Sequence, residues 1–460
     1  MKQTKRDFGS FHSSNVEDLI RLDDLNYLKP EFKVKINVAA LKDSLKFAEY
    51  GSSDIKKELF YLEEDFNFLN HGAFGLTFKP TIDLVNRWQH YAESQPLRFY
   101  DREVLPLLVD VIRRYAKFMS CKPTELVFVE NCTFAFSSIL RSLNIRPNEN
   151  FFIFNTTYGV YKKILKNFCF ENCMKLIEEQ IEFPLLTELD INNQIISKLK
   201  KSLGELSNIK YVLVDYIPSN HPFVMPIKQI IDLCRSHNTV CIIDAAHAIG
   251  SISEFSLENL KPDIMFGNFH KWFCGAKGTG FLYRREGLNV NLKSTISSHG
   301  FGSGFHSDFL WSGLKDYSAY LALDGTLDVW VTLFGGLKSP IDYCVKLTCE
   351  AALYLKTKWG TEYLVNPEYC STMICVKLPR NFIKELLSKT TITNQNNIVM
   401  TYNEAEIIQN YLYYHHRIEI PIKSIQNELY VRISCHIYNK LSDYEHLGNV
   451  IYSYIIEKNH

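Results

Sequence analysis

CIIDAAHAIGSISEFSLENLKPDIMFGNFHKWFCGAKGTGFLYRRE, residues 241–286, is the stretch around which this chain is organised. Its first apolar run, residues 240–243, is typical of a strand buried on both faces of a parallel sheet, and Asp244 ends it. A second apolar run, residues 264–267, leads into Asn268, and Lys271 follows. The pattern therefore places an acid at the end of one strand and a lysine just after another.

An acid and a lysine in these positions suit pyridoxal phosphate chemistry. The lysine holds the aldehyde of the cofactor, and the carboxylate keeps the pyridine nitrogen protonated so that the ring withdraws electrons. We therefore predict Lys271 and Asp244 as catalytic residues, with His270 near the phosphate and His247 beside the ring. The alternative is a buried strand-end acid and a surface lysine, and the spacing alone does not separate the two.

Two segments of this stretch, DAAHAIG (residues 244–250) and GNFHKWFCGAKGTGFLY (residues 267–283), closely resemble the class V aminotransferase family. Within that family, the match is to the branch of isopenicillin N epimerase and the related cysteine-degrading lyases. Further segments extend the resemblance from about residue 68 to the C-terminus. It implies pyridoxal 5'-phosphate as cofactor, an amino acid as substrate, and a homodimer with the active site near the interface.

The same resemblance implies an α/β protein of fold type I, the PLP-dependent transferase fold. We expect an N-terminal arm (residues 1–66), a large domain with a mostly parallel sheet (residues 67–330) and a small C-terminal α+β domain (residues 331–460). Strand-like and helix-like patterns indeed alternate over residues 68–283, which indicates a mostly parallel sheet. Within this alternation, residues 163–179 are predicted as one helix.

The phosphate of the cofactor is expected at residues 131–133. An apolar strand pattern runs there into a helix pattern, and free N–H groups and the positive end of the helix dipole meet at such a point. The segment resembles a phosphate-binding element of the family, which implies that Asn131, Cys132 (through its backbone) and Thr133 bind the cofactor. The alternative is a plain helix cap.

Other cofactor contacts are implied by the resemblance. Tyr158 is similar to the tyrosine that stacks on the pyridine ring, and Tyr161 is a second candidate because Thr156 and Thr157 replace the family's usual His-Glu pair. An aromatic core position is the alternative for both tyrosines. The remaining predicted cofactor-binding residues are Ser219, in a loop that resembles one near the ring, and Asn268.

Substrate-binding residues are implied at three places. The segment LNHGAFG (residues 69–75) resembles a loop that lines the substrate pocket, and its two glycines indicate a close backbone approach, so we predict Asn70, His71 and Gly72. Arg98 belongs to a family-like turn, where a structural salt bridge is equally expected. Arg432 resembles the arginine that binds the substrate α-carboxylate, for which a planar guanidinium is well suited; a strand arginine paired at the surface is the alternative.

Some positions depart from the family pattern. Leu314, Lys315 and Ala276 stand where relatives have Thr, Arg and often Pro, so the contact with a partner's cofactor phosphate would lose a hydroxyl. Related desulfurases use a loop cysteine just before the final strands, and residues 414–421 contain none here. Cys375 and Cys435 are predicted to be buried in strands, so we do not expect a persulfide mechanism.

Composition excludes several functional classes. The 460 residues include 51 basic and 51 acidic side chains, so no charge excess indicates a nucleic-acid partner. Twelve scattered cysteines without a CxxC pair predict reduced thiols, no metal site and a cytoplasmic location. No apolar run reaches membrane-spanning length, and we expect no targeting peptide in the basic residues 1–6, which no apolar stretch follows.

These residues predict a PLP-dependent enzyme that acts at the α-carbon of an amino acid. The first hypothesis is β-elimination by a C–S lyase on cysteine or a related amino acid. The alternative is epimerisation or transamination of a small amino acid. A catalytically inactive binding protein is a further alternative, and it would be marked by loss of Lys271, Asp244 or Arg432, all of which are present.

Overall fold

A computed structural model describes residues 13–46, 48–205, 208–388 and 400–456; the basic N-terminal residues 1–6 lie outside this part. The α-helices are Ser13–Arg21, Val38–Ser44, Ser53–Leu59, His71–Phe74, Lys79–Ser94, Pro96–Arg98, Val104–Phe118, Cys132–Ser142, Gly159–Glu171, Glu188–Ile191, Lys198–Glu205, Ile227–Ser236, Leu257–Leu260, Phe305–Leu310, Ser318–Asp328, Lys338–Trp359, Arg380–Ser388, Tyr402–His416 and Leu441–Ile456. Short 3-10 or π-helical segments lie at Phe99–Glu103, Pro123–Glu125, Asn192–Ser197, Val329–Leu333 and Pro367–Tyr369.

The strands form one large sheet and two smaller ones. They are β1 (Asn67–Phe68), β2 (Leu126–Val129), β3 (Asn150–Phe154), β4 (Lys175–Glu179), β5 (Ile209–Asp215), β6 (Val240–Asp244), β7 (Ile264–Asn268), β8 (Gly280–Arg284), β9 (Met373–Lys377), β10 (Ile418–Glu419), β11 (Ile422–Ile425) and β12 (Glu428–Ser434). The seven-stranded sheet has the order β2-β8-β7-β6-β5-β3-β4. Its strands β4, β3, β5, β6 and β7 are parallel, and only β8 runs antiparallel to its neighbours. The prediction of a mostly parallel sheet is confirmed.

Strand β6 is buried on both faces, as its apolar run predicts. Cys241 and Ile243 pack into the apolar core on one face of the sheet, and Ile242 packs into the core on the other face. Helix Cys132–Ser142 belongs to the second face, where Phe136 and Ile139 are fully buried. Because helices cover both faces, a ligand is expected to bind at the C-terminal ends of the strands, where polar groups are exposed to it.

The C-terminal part of the chain builds the antiparallel sheet β11-β12-β9. A short parallel pair, β1 with β10, connects the segment before residue 70 to the segment after residue 417. This pair brings the loop that starts at Asn70 against the small sheet. The expected domain boundaries at residues 66/67 and 330/331 stay a prediction.

The predicted helix over residues 163–179 is wrong in its second half. The helix ends at Glu171, and residues Lys175–Glu179 form β4, which pairs with β3 at the edge of the large sheet. Cys173 takes a left-handed conformation with φ 54° at the turn between them. An edge strand is only half-buried, so its sequence lacks the continuous apolar run that identifies the central strands.

Among the described residues, no helix combines the length and the apolar character that crossing a bilayer would require.

The N-terminal helix Ser13–Arg21 is attached to the large sheet's helices by Arg113. This buried side chain donates from Nη1 to the carbonyl oxygens of Ile20 and Leu22 at 3.2 and 2.7 Å, and from Nη2 to Asp24 at 2.6 Å. The guanidinium thus satisfies carbonyls at the end of a helix, where a cation also suits the helix dipole.

We expect Arg113→Met to lower the free energy of unfolding by about 2–3 kcal/mol, because it leaves these carbonyls unsatisfied. Urea denaturation followed by circular dichroism measures the change. The matched control is Arg21→Met, since Arg21 is largely exposed and forms only a 3.8 Å ion pair with Glu17. This control is expected to change the free energy by less than about 0.5 kcal/mol. Equal losses in both variants would contradict the role of Arg113.

Candidate active site

Polar side chains collect at the C-terminal ends of three neighbouring strands. Asp244 ends β6, Asn268 ends β7, and Asp215 ends β5 directly opposite Asp244 in the strand register. All three side chains are buried. The lysine predicted from sequence lies in the turn that follows β7, so the fold brings Lys271 to the same edge of the sheet as Asp244.

Lys271 contacts His247, and Trp272 orients that histidine. Nζ of Lys271 lies 3.3 Å from Nε2 of His247, and Nε1 of Trp272 donates to Nδ1 of His247 at 3.0 Å. An indole N–H is only a donor, so Nδ1 must accept and the neutral ring carries its hydrogen on Nε2. Nε2–H then faces the lysine. Burial lowers the pKa of Lys271, which favours the neutral amine that accepts this hydrogen bond.

Asp244 is a buried carboxylate with few compensating contacts. Its Oδ1 accepts from the backbone N–H of Ala246 at 2.8 Å. Burial raises the pKa of Asp244 to about 6, while the Ala246 N–H and the charge of Lys271 oppose the rise. Burial and the neighbouring Asp244 raise the pKa of Asp215 well above its ordinary value. The two acids form an electrostatically coupled pair, ready to respond to a positive group placed against them.

The loop with two glycines lies directly beneath Lys271. Gly75 has a φ of 66°, and a Cβ there would collide with Cα of Lys271. His71 is fully buried, and its Nε2 donates to the carbonyl oxygen of Lys271 at 3.2 Å while Nδ1 accepts from the hydroxyl of Tyr438 at 2.9 Å. The close approach inferred from the glycines is therefore to the lysine backbone. His71 holds that backbone in place, and its function as a substrate ligand stays a prediction.

His71 also belongs to a buried group with His436 and Cys274. Its ring stacks on that of His436 at 4.0 Å, and the potential ligand atoms of the three residues lie within 4.8 Å of one another. Nε2 of His436 lies 3.3 Å from the carbonyl oxygen of Trp272. Because a carbonyl oxygen only accepts, Nε2 must donate to it. Both Nε2 atoms are thus engaged by the backbone, so the group packs the floor of the site.

Arg432 is a buried cation without an acidic partner among the described residues. Its side chain is 2% exposed. Nη1 donates to the backbone oxygen of Ser219 at 2.7 Å and to Oγ at 3.2 Å, and Nη2 donates to Oδ1 of Asn70 at 3.0 Å. Its Nε has no hydrogen-bond partner in the described part of the chain. A buried guanidinium held by neutral acceptors retains its capacity for a carboxylate. Ser219 thus lies against the predicted substrate arginine, and its contact with the cofactor stays a prediction.

At the start of helix Cys132–Ser142, Asn131 caps the helix and Thr133 is left free to bind a ligand. Oδ1 of Asn131 caps the helix by accepting from the N–H of Phe134 at 2.9 Å, and the N–H of Cys132 donates to Oδ1 of Asn268 at 3.1 Å. The side chain of Thr133 is exposed, and neither its hydroxyl nor its N–H bonds to another described residue. Thr133 therefore offers two free donors at the positive end of the helix.

The two candidate stacking tyrosines have different environments. Tyr158 is 42% exposed at the start of helix Gly159–Glu171, whereas Tyr161 is buried against Phe136 and Phe266. The exposed ring is the one that remains available to a ligand. His270 donates from Nδ1 to the carbonyl oxygen of Thr279 at 2.8 Å, and burial lowers its pKa to about 4. A phosphate contact through Nε2 would therefore require protonation of the ring.

Arg98 forms a structural salt bridge, the alternative given for it from the sequence, and its function as a substrate ligand stays a prediction. Its Nε lies 3.4 Å from Oε1 of Glu103, and its guanidinium covers the ring of Tyr91 at 5.1 Å. Gly72 packs below the site, where its N–H donates to Oγ of Ser434 at 3.3 Å. Among the departures from the family pattern, Leu314 is 74% exposed, and Lys315 forms an ion pair with Glu130 at 3.1 Å.

The family model of the class V aminotransferases matches residues 109–352, which include the strands, Asp244 and Lys271 described above. The chain belongs to the class V aminotransferase family. The resemblance predicted from sequence is confirmed, and with it the PLP-dependent enzyme class and pyridoxal phosphate as cofactor.

Class V relatives resemble the chain over most of its length. It is 27% identical over 421 residues to the probable chloroplastic L-cysteine desulfhydrase of Arabidopsis thaliana, covering 87% of this chain and 85% of that one. It is 21% identical to the isopenicillin N epimerase of Amycolatopsis lactamdurans, covering 83% and 94%. The solved complex of the cystine C–S lyase C-DES with cysteine persulfide has a TM-score of 0.69 at 14% identity, covering 85% and 98%. This last likeness confirms the fold.

The class V cofactor fits the residues that are present. The free donors of Thr133 suit a phosphate, the buried Asp244 suits a protonated ring nitrogen, and the amine of Lys271 suits an aldehyde. The unpartnered Nε of Arg432 leaves a donor for a substrate carboxylate. Each of these groups keeps binding capacity that its contacts with the described residues leave unused, which is what a site built for cofactor and substrate requires.

The cysteines expected to be inert are buried. Cys375 and Cys435 are at most 1% exposed, and burial raises the pKa of both thiols to about 12. A thiol with such a pKa supplies almost no thiolate at neutral pH. All twelve cysteines are free.

Sequence reasoning missed Trp272 and Asp215. Trp272 follows the predicted lysine directly, and a donor-only side chain beside a candidate histidine was the available signal. Asp215 ends a strand-like run in the same way as Asp244, so the repeated pattern could have identified it. That the two acids are paired follows only from the order of the strands, which places β5 beside β6.

We expect Trp272→Phe to release the tautomer of His247, because it removes the N–H that Nδ1 accepts but keeps the ring. In ¹⁵N NMR of histidine-labelled protein, the single Nε2–H tautomer should become a mixture. The matched control is Trp88→Phe, since Trp88 is equally buried and its Nε1 has no partner. An unchanged His247 spectrum in Trp272→Phe would show that the indole does not set the tautomer.

Proposed function

We propose that the chain is a PLP-dependent C–S lyase that catalyses β-elimination from cysteine or a related amino acid. The carrying observation is the amine of Lys271, which contacts His247 and whose pKa burial lowers, at one sheet edge with Asp244. Arg432, which has no acidic partner among the described residues, supports it. The desulfhydrase named among the class V relatives supports cysteine as the substrate class. The buried, high-pKa thiols support elimination over a persulfide route.

Each site residue has a definite task in this reaction. Arg432 would bind the α-carboxylate of the substrate, and Asn70 and Ser219 would hold the guanidinium in place. Lys271, as a neutral amine, would accept the α-proton, and His247 would orient it through Nε2–H. The carboxylate of Asp244 would stabilise positive charge at the ring nitrogen. When bound, pyridoxal phosphate supplies the electron sink that makes this proton acidic.

Elimination breaks the bond between the β-carbon and sulfur of the substrate. With cysteine, one water is consumed and hydrogen sulfide, ammonia and pyruvate are released. Epimerisation would return the proton to the other face without releasing sulfur, and transamination would give a keto acid that keeps it. The products therefore separate these alternatives, and an inactive binding protein would give none of them.

We expect the protein with added pyridoxal phosphate to show the near-visible absorbance of a lysine-bound cofactor. Borohydride reduction and peptide mapping should place the label on Lys271. L-cysteine should then yield pyruvate and sulfide in equal amounts, and Lys271→Ala should lower the rate at least about 10³-fold. The control is Lys261→Ala, which lies before β7, at the other end of that strand from Lys271, and should keep the activity. Lys277 is unsuitable as a control because its Nζ donates to the carbonyl oxygen of Gly75, in the loop beneath Lys271. Racemised cysteine without pyruvate would overturn the lyase assignment.

A homodimer with a cytoplasmic location completes the proposal. Exposed apolar side chains support an interface, among them Phe74 at 81% and Leu314 at 74% exposed. Exposed apolar side chains are a feature of subunit contacts. The free cysteines support a reducing compartment.

We expect sedimentation equilibrium to give twice the mass of one chain. Leu314→Glu should raise the dissociation constant of the dimer at least about tenfold, because it places a charge in the contact. Leu353→Glu is the matched control, since Leu353 is 58% exposed on helix Lys338–Trp359 and no family contact is expected there. A monomeric wild-type protein would contradict the proposal.

A further inference from the structure

The face of the small sheet that carries Arg432 carries a second cation, Lys423. In the antiparallel register of β11 and β12, Lys423 lies opposite Tyr430, and Arg432 is two positions further along β12. Side chains two positions apart share a face, so Lys423 and Arg432 are diagonal neighbours, with Cα atoms roughly 7–8 Å apart. The two cations are therefore neighbours on this face of the small sheet.

Lys423 has no hydrogen bond or ion pair with another described residue. The carboxylates around this face are engaged elsewhere: Glu428 pairs with Lys377 at 3.2 Å and with Arg380, and Glu419 accepts from Asn70 at 3.0 Å. Burial and the charge of Arg432 lower the pKa of Lys423 to about 8. A buried and a half-buried cation side by side are unfavourable unless an anion joins them.

His221 belongs to a loop that contacts the small sheet twice. The carbonyl oxygen of Ser219 accepts from Nη1 of Arg432, and that of Asn220 accepts from the thiol of Cys375 with an S–O distance of 3.7 Å. The ring stacks on Phe183 at 5.1 Å, and its buried Nδ1 has no partner. Burial lowers the pKa of His221 to about 4, and the charges of Lys162 and Lys423 contribute to the shift. A buried ring nitrogen without a partner among the described residues is free to form a hydrogen bond with a ligand.

We propose that Lys423 and His221 form a second anion subsite beside Arg432, which takes a carboxylate carried on the sulfur substituent of an S-substituted cysteine. This inference rests on the proposed function, because the α-carboxylate is assigned to Arg432. One α-carboxylate neutralises one cation and leaves Lys423 unpaired. A substrate with two carboxylates balances both charges, and its distal carboxylate can also accept from Nδ1–H of His221.

The reaction with such a thioether is balanced without an oxidant or reductant. The bond between the β-carbon and sulfur breaks, the sulfur keeps the electron pair, and a proton converts it to a carboxylated thiol. The three-carbon remainder takes up one water and gives pyruvate and ammonia. The subsite therefore changes which thiol leaves, and it leaves the elimination chemistry the same.

The test compares S-carboxymethyl-L-cysteine with S-carbamoylmethyl-L-cysteine, which have nearly the same size and differ in charge. In the holoenzyme, kcat/KM from pyruvate release should favour the acid over the amide at least about tenfold, as for a hydrogen bond to a charged group. Lys423→Met should remove this preference through the acid's KM, and Lys423→Arg should retain most of it. His221→Phe, which can still stack on Phe183, should reduce the preference severalfold with little change for the amide.

Lys377 provides the matched control. It lies opposite Tyr430 on the other side of β12, but Glu428 already neutralises it. Lys377→Met should therefore keep the preference for the acid. If it loses the preference to the same degree as Lys423→Met, the effect is one of general surface charge and the subsite is wrong.

The outcomes separate this inference from the proposed function. Binding of both compounds is also measured by the absorbance change of the bound cofactor. Pyruvate from cysteine with no preference for the acid overturns the subsite and leaves the lyase assignment intact. A Lys423-dependent binding preference without pyruvate from any substrate supports the subsite and overturns the lyase assignment. An equal loss for acid and amide in Lys423→Met would mean that Lys423 serves only the α-carboxylate, which overturns the subsite.

Discussion

The backbone of Lys271 is enclosed on several sides, and the geometry of the site depends on this enclosure. Gly75 passes so close to its Cα that no side chain fits between them, and His71 donates to its carbonyl oxygen. Gly250 has a φ of 85°, and a Cβ there would lie 2.5 Å from the carbonyl carbon of Trp272. Because two separate segments of the chain enclose this turn, the backbone from which the lysine side chain reaches His247 is held in place.

Electrostatic imbalance distinguishes this region from the rest of the protein. Asp244 and Asp215 are two acids buried side by side, and Arg432 and Lys423 are two cations beside each other. In an ordinary core, each such group would be paired, because burying an isolated charge is costly. The acids end strands of the large sheet, and the cations lie on strands of the small sheet. A zwitterionic amino acid and a cationic ring nitrogen are the chemical groups that complement this separation.

The hydrogen bonds around Lys271 also assign the states of the histidines. Trp272 can only donate, and the carbonyl oxygen of Lys271 can only accept, so His247 and His71 are each held in one neutral tautomer. Burial lowers the pKa of both rings well below the ordinary value, which keeps them neutral. Neutral rings add no further positive charge beside the guanidinium of Arg432. The floor of the site therefore orients the lysine without competing for the anionic parts of a ligand.

The sequence by itself determined the central strands, the strand-end Asp244, the lysine turn and the family. These features depend on local patterns: an apolar run buried on both faces, and motif residues that are adjacent along the chain. It did not separate the half-buried edge strand β4 from a helix, because β4 lacks that apolar run. Nor did it show that His71 supports the Lys271 backbone, or that Ser219 lies against Arg432.

Only the tertiary structure decided these contacts. It also decided that Asp215 lies beside Asp244 and that Lys423 lies beside Arg432. Each joins residues through strand order or through loops far apart in the chain, and no local pattern encodes which distant segment packs against another.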